Sequence, residues 1–384
     1  MATNSSTAAH PSDAPWLDVF SSRYFPDWLR QERISLAFTT YQAGKLFMVG
    51  CKADPLAANP LSLFDRTFPH CMGMCASVDG QTLWLSSRYQ IWRLERTSAT
   101  AVPHRTTGGA AGETEVAAEI PAWVGQGYDV TYSPRIGYTT GHIDAHDMAL
   151  DADGRLVFVN TMFGCLATLS ERANFKPLWR PAFLSALVPE DRCHLNGLAM
   201  RNGRPGFVTL AARSDVADGW RDKRQNGGCV LDVATGEAVC TGLSMPHSPC
   251  WYRDQLWLLN SGRGEFGRVD LATGRFEPIT FCPGYLRGLT FHGDYAIVTL
   301  SKPREKSFQG LELDDRLLEK GAEPQCGLQV IDLRSGVVSD WLRVESGQIH
   351  ELYDSVVLPG VRQPMALGFK TTEIERLMVI EQDL

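Results

Sequence analysis

The sequence lacks most of the short motifs that mark nucleotide-binding and hydrolytic enzymes. It contains no P-loop, no GxGxxG that opens a helix, no HExxH and no GxSxG. Each of these motifs supplies a specific piece of machinery, such as a phosphate cradle or an exposed nucleophile. Phosphoryl transfer on a nucleotide fold, dinucleotide chemistry and serine-based acyl transfer are therefore not expected.

Charge, hydropathy and cysteine usage exclude further classes of protein. The chain has 37 Lys and Arg against 44 Asp and Glu, so a general nucleic-acid footprint is not expected. No apolar run is long enough to span a bilayer, and the polar start lacks the basic and apolar parts of a secretory signal. The ten cysteines form no CxxC pair, which favours reduced, buried thiols. We expect a cytoplasmic protein that binds neither nucleic acid nor membranes.

What the chain does contain is a recurring unit of two short strands joined by a tight turn. Turns such as Asp-Gly between apolar runs predict hairpins, and several units add a second strand pair. Repeated units of four short strands are typical of a propeller blade. We predict an all-β, six-bladed β-propeller with a central channel over residues 33–370. A polar tail with a short helix should occupy residues 1–32, and an appendage residues 371–384.

When the six units are aligned, polar residues collect where each unit begins. The first positions are Leu36, Met72, His146, Asn196, His247 and Arg287. Two residues earlier stand Ile34, His70, Asp144, His194, Met245 and Tyr285. Residues two apart in a strand point the same way, so both rows should face the channel. Buried polar groups need partners, so these rows indicate a functional site rather than an apolar packing face.

Three histidines lead the candidate site, because ring closure would bring His146, His194 and His247 together. Imidazole-rich sets favour a divalent transition metal such as Fe, Zn or Cu, with His70 and Asp144 as possible further ligands. An open coordination position would then activate water or bind dioxygen, and we place oxygenase or hydroxylase chemistry slightly ahead of hydrolysis. Two alternatives stay open: hydrogen-bonded histidines that plug the channel, and metal-free acid–base work by one of them.

Other polar residues complete the predicted site. Arg287 would clamp an anionic group of a small-molecule or peptide substrate, or else tie blade ends together. We assign catalytic roles to Asp147, Asn196 and Arg287, although the first two also suit structural hydrogen bonds. Arg263 and Lys302, on loops, are further substrate-binding candidates. A non-catalytic propeller that holds a ligand or a protein remains the alternative, and the oligomeric state is open.

Long phrases of the chain resemble a bacterial family of conserved hypothetical proteins over about Ser35 to Leu367. They include DAHDMALDADGRLVFVNT, EDRCHLNGLAM, MPHSPCWYRDQLWLLN and LSKPRE. The resemblance implies a six-bladed propeller, similar in architecture to gluconolactonase-like and NHL-type proteins, and carries no particular activity with it. Gluconolactonase-like enzymes hold their ion with carboxylates and amides, whereas this chain offers histidines, which favours a transition metal. Carotenoid-cleaving oxygenases, with four histidines around iron, are a chemical parallel only.

Overall fold

The structure is a computed structural model that describes residues 17–98, 127–302 and 310–377. Most of the predicted polar tail and the end of the predicted C-terminal appendage lie outside these residues. The helices are α1 (Phe25–Glu32), α2 (Glu312–Glu319) and α3 (Glu373–Arg376). Among the described residues, no helix has the length and apolar character needed to cross a bilayer.

The rest of the described chain is dominated by short strands. The first nine are β1 (Asp18–Ser21), β2 (Ile34–Thr40), β3 (Lys45–Cys51), β4 (Leu61–Thr67), β5 (Met74–Ala76), β6 (Thr82–Ser86), β7 (Gln90–Ser98), β8 (Val130–Thr139) and β9 (Ala145–Leu150). The next nine are β10 (Leu156–Asn160), β11 (Cys165–Thr168), β12 (Lys176–Trp179), β13 (Leu195–Arg201), β14 (Arg204–Leu210), β15 (Gly228–Asp232), β16 (Ala238–Leu243), β17 (Pro246–Tyr252) and β18 (Gln255–Asn260). The last eight are β19 (Glu265–Asp270), β20 (Arg275–Phe281), β21 (Tyr285–His292), β22 (Tyr295–Ser301), β23 (Gly327–Asp332), β24 (Val337–Glu345), β25 (Ser355–Pro359) and β26 (Pro364–Ala366).

These strands form six sheets, each one blade of a propeller. The sheet orders are β25-β2-β3-β4, β5-β6-β7-β8-β26, β9 to β12, β13 to β16, β17 to β20, and β21-β22-β23-β24-β1. The first strand of each sheet in this order is the innermost one, and neighbouring innermost strands contact one another in a closed ring. The predicted six-bladed β-propeller is confirmed.

The ring closes through the C-terminal part of the chain. Strand β25 pairs with β2 and takes the innermost place in the first blade, with Leu36 opposite Val357 and Ile34 opposite Pro359. The prediction that Leu36 and Ile34 face the channel was therefore wrong. The sequence pattern predicts β2 as the inner strand of this blade, but the inner strand is β25, which comes from the C-terminal part of the chain.

Both ends of the described chain are tied to outer blade edges. Strand β1 pairs with β24 in the sixth blade, so part of the segment predicted to precede the propeller belongs to it. Strand β26 runs parallel to β8 at the edge of the second blade. Helix α1 packs Phe25, Trp28 and Leu29 into the apolar core between the sixth and first blades. These contacts reinforce the ring at its closure point.

Close approach between neighbouring inner strands depends on glycine. A Cβ added at Gly73 would lie 2.9 Å from the backbone oxygen of Ala145, and one at Gly288 would lie 2.7 Å from that of Tyr353. Neither distance is tolerable for a methyl group, so a side chain here would push the blades apart. Hydroxyl groups add further ties, such as Thr161 Oγ1, which donates to the carbonyl of Leu195 in the next blade at 2.7 Å.

Candidate functional site

The inner strands all begin at one end of the channel, which we call the upper mouth. One residue from each blade occupies the equivalent position there: Met72, His146, Asn196, His247, Arg287 and Tyr353. All six are buried. The chain enters several of these strands through a left-handed residue, with φ of 56° at Asp144 and 50° at His194. Such values are uncommon outside glycine, and they turn the backbone sharply into the channel.

His194 belongs to a buried polar group at this mouth. Its Nδ1 donates to Oδ2 of Asp191 at 2.9 Å, and the indole Nε1 of Trp220 donates to the same oxygen at 3.0 Å. The rings of His194 and Trp220 stack with centroids 4.1 Å apart. A carboxylate can only accept, so Nδ1 carries a proton, and in the uncharged ring Nε2 is an acceptor. This is the arrangement of a histidine base oriented by a carboxylate.

The other two central histidines are held in the same tautomer by backbone carbonyls. Nδ1 of His146 donates to the carbonyl of Asp144 at 2.9 Å, and Nδ1 of His247 donates to that of Met245 at 2.9 Å. Burial lowers the pKa of His146 to about 4 and holds that of His247 well below its usual value, with Arg287 lowering both further. At neutral pH both rings are uncharged and present Nε2 as an acceptor.

Two of the three histidine rings contact each other, whereas the ring of His247 lies against Tyr285, with centroids 5.6 Å apart. The ring centroids of His146 and His194 are 4.9 Å apart in an edge-to-face arrangement. The pKa of His247 is lowered further by both of these histidines, which places it within electrostatic range of them. Closure of the ring thus gathers imidazoles from the third, fourth and fifth blades at one mouth.

Arg287 supplies a permanent positive charge to the same mouth, among aromatic rings. Its Cζ lies 4.7 Å from the ring centroid of Tyr353, 5.2 Å from that of Tyr285 and 5.9 Å from that of Tyr41. Its exposure is only 9 %. A guanidinium held among aromatic faces keeps its planar donor fork while losing most of its water, which strengthens its attraction for an anion.

A lid of loop and helix residues covers one side of the upper mouth. Helix α2 packs Leu313 and Leu317 into an apolar cluster with Met245, Tyr285 and Trp220. Arg316 of the same helix donates to the carboxylate of Glu265 in the fifth blade. The lid packs on Trp220, and the ring of Trp220 in turn stacks on His194.

A family model described as "Domain of unknown function (DUF4915)" matches residues 23–367, which include every residue of the upper mouth. The chain belongs to this family. The family match confirms the resemblance to a β-propeller family of unknown function. No curated protein matches the chain.

A solved structure supports the architecture of this DUF4915 chain. The structure titled "Crystal structure of Nidogen/Laminin Complex" is similar to it with a TM-score of 0.50 and 14 % sequence identity. The alignment covers 85 % of this chain and 99 % of that one. A likeness at this identity shows the fold alone.

Two predicted ligands of the DUF4915 chain stand at the edge of the upper mouth. His70 receives a hydrogen bond at Nε2 from Nη2 of Arg88 at 2.9 Å, so this nitrogen already has a partner. Asp144 is about one-third exposed, and its Oδ2 lies 3.8 Å from Nδ1 of His146. Asp144 therefore borders His146, whereas His70 lies against Arg88 and Tyr41.

The predicted transition metal stays a prediction. Within residues 17–98, 127–302 and 310–377, no three His, Cys, Asp or Glu side chains are arranged to hold an ion. The common tautomer of the three histidines leaves Nε2 as the nitrogen that a metal would use. Binding an ion would therefore require the rings to shift from their present positions.

Asn196 and Asp147, predicted to be catalytic, are both held by hydrogen bonds, Asn196 within its own blade and Asp147 across to the next blade. Oδ1 of Asn196 accepts from Thr209 Oγ1 at 2.8 Å, which fixes the amide against its own blade. Oδ2 of Asp147 accepts from the backbone N–H of Leu198 at 2.9 Å. Asp147 lines a separate space at the other end of the channel, away from Arg287. The structure thus does not bring Asp147 into the site where it was expected.

That space, which we call the lower cavity, has a volume of about 460 Å³. Its lining includes Cys75, Asp147, Ser248, Cys250 and Asp354.

The two loop residues predicted to bind substrate lie beside the mouth. Nε of Arg263 donates to the carboxylate of Glu312 in the lid at 2.8 Å, which gives this arginine a role in holding the lid. The backbone N–H of Lys302 donates to the carbonyl of His350 at 2.8 Å. Substrate binding by either residue stays a prediction.

Sequence reasoning missed several residues of the site: Tyr41, Asp191, Trp220 and Tyr353. Asp191 precedes His194 by three residues in EDRCHL, which was a usable local signal. Tyr353 comes just before β25, so the repeat would have predicted it if β25 had been assigned as the inner strand of the first blade. Trp220 and Tyr41 come from loops whose position only the fold determines.

Proposed function

We propose that the upper mouth is the active site of an enzyme that moves a proton on a small anionic molecule. The observation that carries this proposal is the pair of Asp191 and His194, a carboxylate-oriented imidazole beside a mouth that also contains Arg287. His146 links the two, since it lies against His194 and its pKa is lowered further by Arg287. A base and an anion anchor are thus parts of one buried group.

Each residue has a defined role in this proposal. The guanidinium of Arg287 binds a carboxylate or phosphate of the substrate through its donor fork. Nε2 of His194 removes a proton from a neighbouring carbon or oxygen of that molecule, and the resulting imidazolium is stabilised by Asp191. Returning the proton to another atom of the substrate completes an isomerisation. In an elimination, the electron pair left on carbon instead forms a double bond and expels a leaving group from the neighbouring carbon, and the imidazolium gives its proton to that leaving group.

A metal-dependent enzyme is the second candidate, and one observation favours it. Nδ1 of His146, His194 and His247 is in each case bound to a carbonyl or a carboxylate. This is the usual support for imidazoles that ligate a metal through Nε2. Bound iron or copper would supply redox chemistry, and zinc would supply hydrolysis.

A panel of small carboxylates and phosphates tests both candidates. Binding is first detected as an increase in melting temperature, and turnover of each hit is then followed by NMR, with and without chelator. We expect turnover that persists in chelator and is lost in His194→Gln and Arg287→Gln. His292→Gln, outside the upper mouth, is the matched control for the histidine variant.

The outcomes separate the alternatives. Turnover that disappears in chelator and returns with iron, copper or zinc supports the metal-dependent enzyme instead. Binding that depends on Arg287 but gives no turnover for any hit supports a non-catalytic ligand-binding propeller. Turnover that survives His194→Gln rules out the assigned base.

A further inference from the structure

A separate pocket lies where helix α1 meets the turn between β25 and β26. Its volume is about 380 Å³, within the range of small-molecule sites. The floor is apolar, with Leu29, Ile34 and Val361 each no more than 2 % exposed, together with the thiol of Cys51. Gly360 leaves open space at one side, since an added Cβ there would meet no atom within 4 Å.

Three arginines line this otherwise apolar pocket: Arg30, Arg33 and Arg362. Acidic partners occupy only part of two of them. Nη1 of Arg30 bonds Asp27 at 3.0 Å, and Nε of Arg362 lies 4.0 Å from Asp129. The local balance of charge therefore favours an anion.

Two guanidinium nitrogens at the pocket are buried and have no hydrogen-bond partner among the described residues. They are Nη2 of Arg30 and Nη1 of Arg362. Both arginines line the pocket beside Cys51, where burial and Asp27 raise the pKa of the thiol and the two arginines lower it. Buried N–H groups of charged side chains are costly to leave unsatisfied. Two of them beside one apolar floor are the expected complement of an anionic head joined to an apolar tail.

We propose that this pocket binds a small amphipathic carboxylate, such as a free medium-chain fatty acid. The carboxylate accepts from Arg30 and Arg362, with the exposed Arg33 at the rim, and the alkyl chain covers Leu29 and Ile34. The upper mouth takes no part in this binding, so the proposal stands or falls independently of the proposed function.

Octanoate is the probe, and isothermal titration calorimetry on the full chain is the measurement. We expect octan-1-ol, which lacks the charge, and butyrate, which lacks the tail, each to bind at least about tenfold more weakly. The double variant Arg30→Gln/Arg362→Gln should lose octanoate binding by a similar factor. Arg253→Gln removes an exposed arginine that pairs with Asp294 elsewhere, and it should leave binding unchanged.

A second readout does not depend on the stability of the double variant. Octanoate should raise the melting temperature of the wild-type chain in differential scanning fluorimetry, whereas octan-1-ol and butyrate at the same concentration should leave it unchanged. Equal binding of octanoate and octan-1-ol, or unchanged binding in a folded double variant, would overturn the proposal. So would the absence of octanoate binding together with sedimentation of the protein on phosphatidylglycerol vesicles, which would assign the arginines to a lipid surface.

Discussion

The upper mouth and the lower cavity are built from consecutive residues of the same inner strands, yet they differ in charge. His146 lies at the mouth and Asp147 in the cavity, and the same step separates Tyr353 from Asp354. Successive side chains of a strand leave on opposite sides, so one residue changes which space is reached. The mouth holds the guanidinium of Arg287 and three imidazoles beside the carboxylate of Asp191, whereas the cavity holds the carboxyl groups of Asp147 and Asp354.

The bonding of the two regions differs as well. In the lower cavity Asp354 accepts from the backbone N–H of Met74 at 2.8 Å, just as Asp147 accepts from that of Leu198. Each bond joins one blade to the next, so these carboxyl groups hold the seams of the propeller. At the upper mouth, by contrast, Nε2 of His194 is left as an acceptor. A polar residue in the channel thus indicates a functional site only when one of its donor or acceptor atoms can still form a hydrogen bond with a ligand.

The largest expected effect separates catalysis at the mouth from structure in the cavity. His194→Gln should lower turnover of the panel's substrate by about 10²–10⁴-fold, because glutamine cannot accept the proton as imidazole does. Cys250→Ser in the lower cavity should leave turnover within about twofold of wild type. Initial rates measured at saturating substrate check both. Comparable losses in the two variants would mean that the regions do not differ in function.

Arg287→Lys should sharpen the assignment of the anion anchor. Lysine keeps the charge but loses the planar fork and the stacking on Tyr353, so affinity for the anionic ligand should fall about tenfold. Calorimetric titration of the identified ligand measures this loss. An unchanged dissociation constant would show that Arg287 serves the fold alone.

Asp147→Asn tests the cavity through the pH dependence of stability. Burial raises the pKa of Asp147 to about 7, above its ordinary value of 3.8. Its contribution to stability is therefore complete below about pH 4 and is lost as the pH rises towards 7, because the unfolded chain ionises first. Asparagine keeps an acceptor for Leu198 and cannot ionise. The variant should gain about 4 kcal/mol relative to wild type across this interval, because each unit of the raised pKa corresponds to about 1.4 kcal/mol.

Urea unfolding of wild type and Asp147→Asn at a series of pH values measures that gain. Asp354 also affects this gain, because its own pKa is raised, mainly by burial and further by the charge of Asp147. A difference between the two proteins that does not vary with pH would contradict the raised pKa.

The smallest expected effect concerns one seam at the ring closure. Thr39 Oγ1 donates to the carbonyl of Met72 at 2.6 Å and accepts from the backbone N–H of Asp354 at 3.1 Å. Thr39→Val leaves both backbone groups without this partner and should cost about 1–2 kcal/mol in the free energy of unfolding. Thr371→Val, on an exposed hydroxyl near the end of the described chain, is the control. Equal stability of both variants would show that the Thr39 hydroxyl does not stabilise this seam.

Much of the fold followed from local pattern. Hairpin turns such as Asp-Gly near Gly154 and the repeated apolar strands indicated four-stranded units and their number. The prediction for the first blade was wrong because the pattern indicates where strands lie but not which strand is innermost. The sequence of β2 fits the pattern of an inner strand as well as that of β25 does, and only closure of the ring places β25 innermost.

The candidate site was predicted in part for the same reason. His146, His194 and His247 were identified because polar residues recur at one position of a repeat. Asp147 was misplaced because a one-residue step along a strand separates two different spaces. Arg287 was found, but its aromatic neighbours Tyr41 and Tyr353 are far apart in sequence and meet only across the closure.

The amino-acid order by itself determined the blades, since alternation, turn residues and repeat length act over a few neighbouring positions. It also determined that the channel would be polar. Only the closed ring decided which polar groups share a space, because that depends on contacts between residues hundreds of positions apart. The chemistry of each imidazole was likewise decided late, by the carbonyl or carboxylate that the folded backbone places against Nδ1.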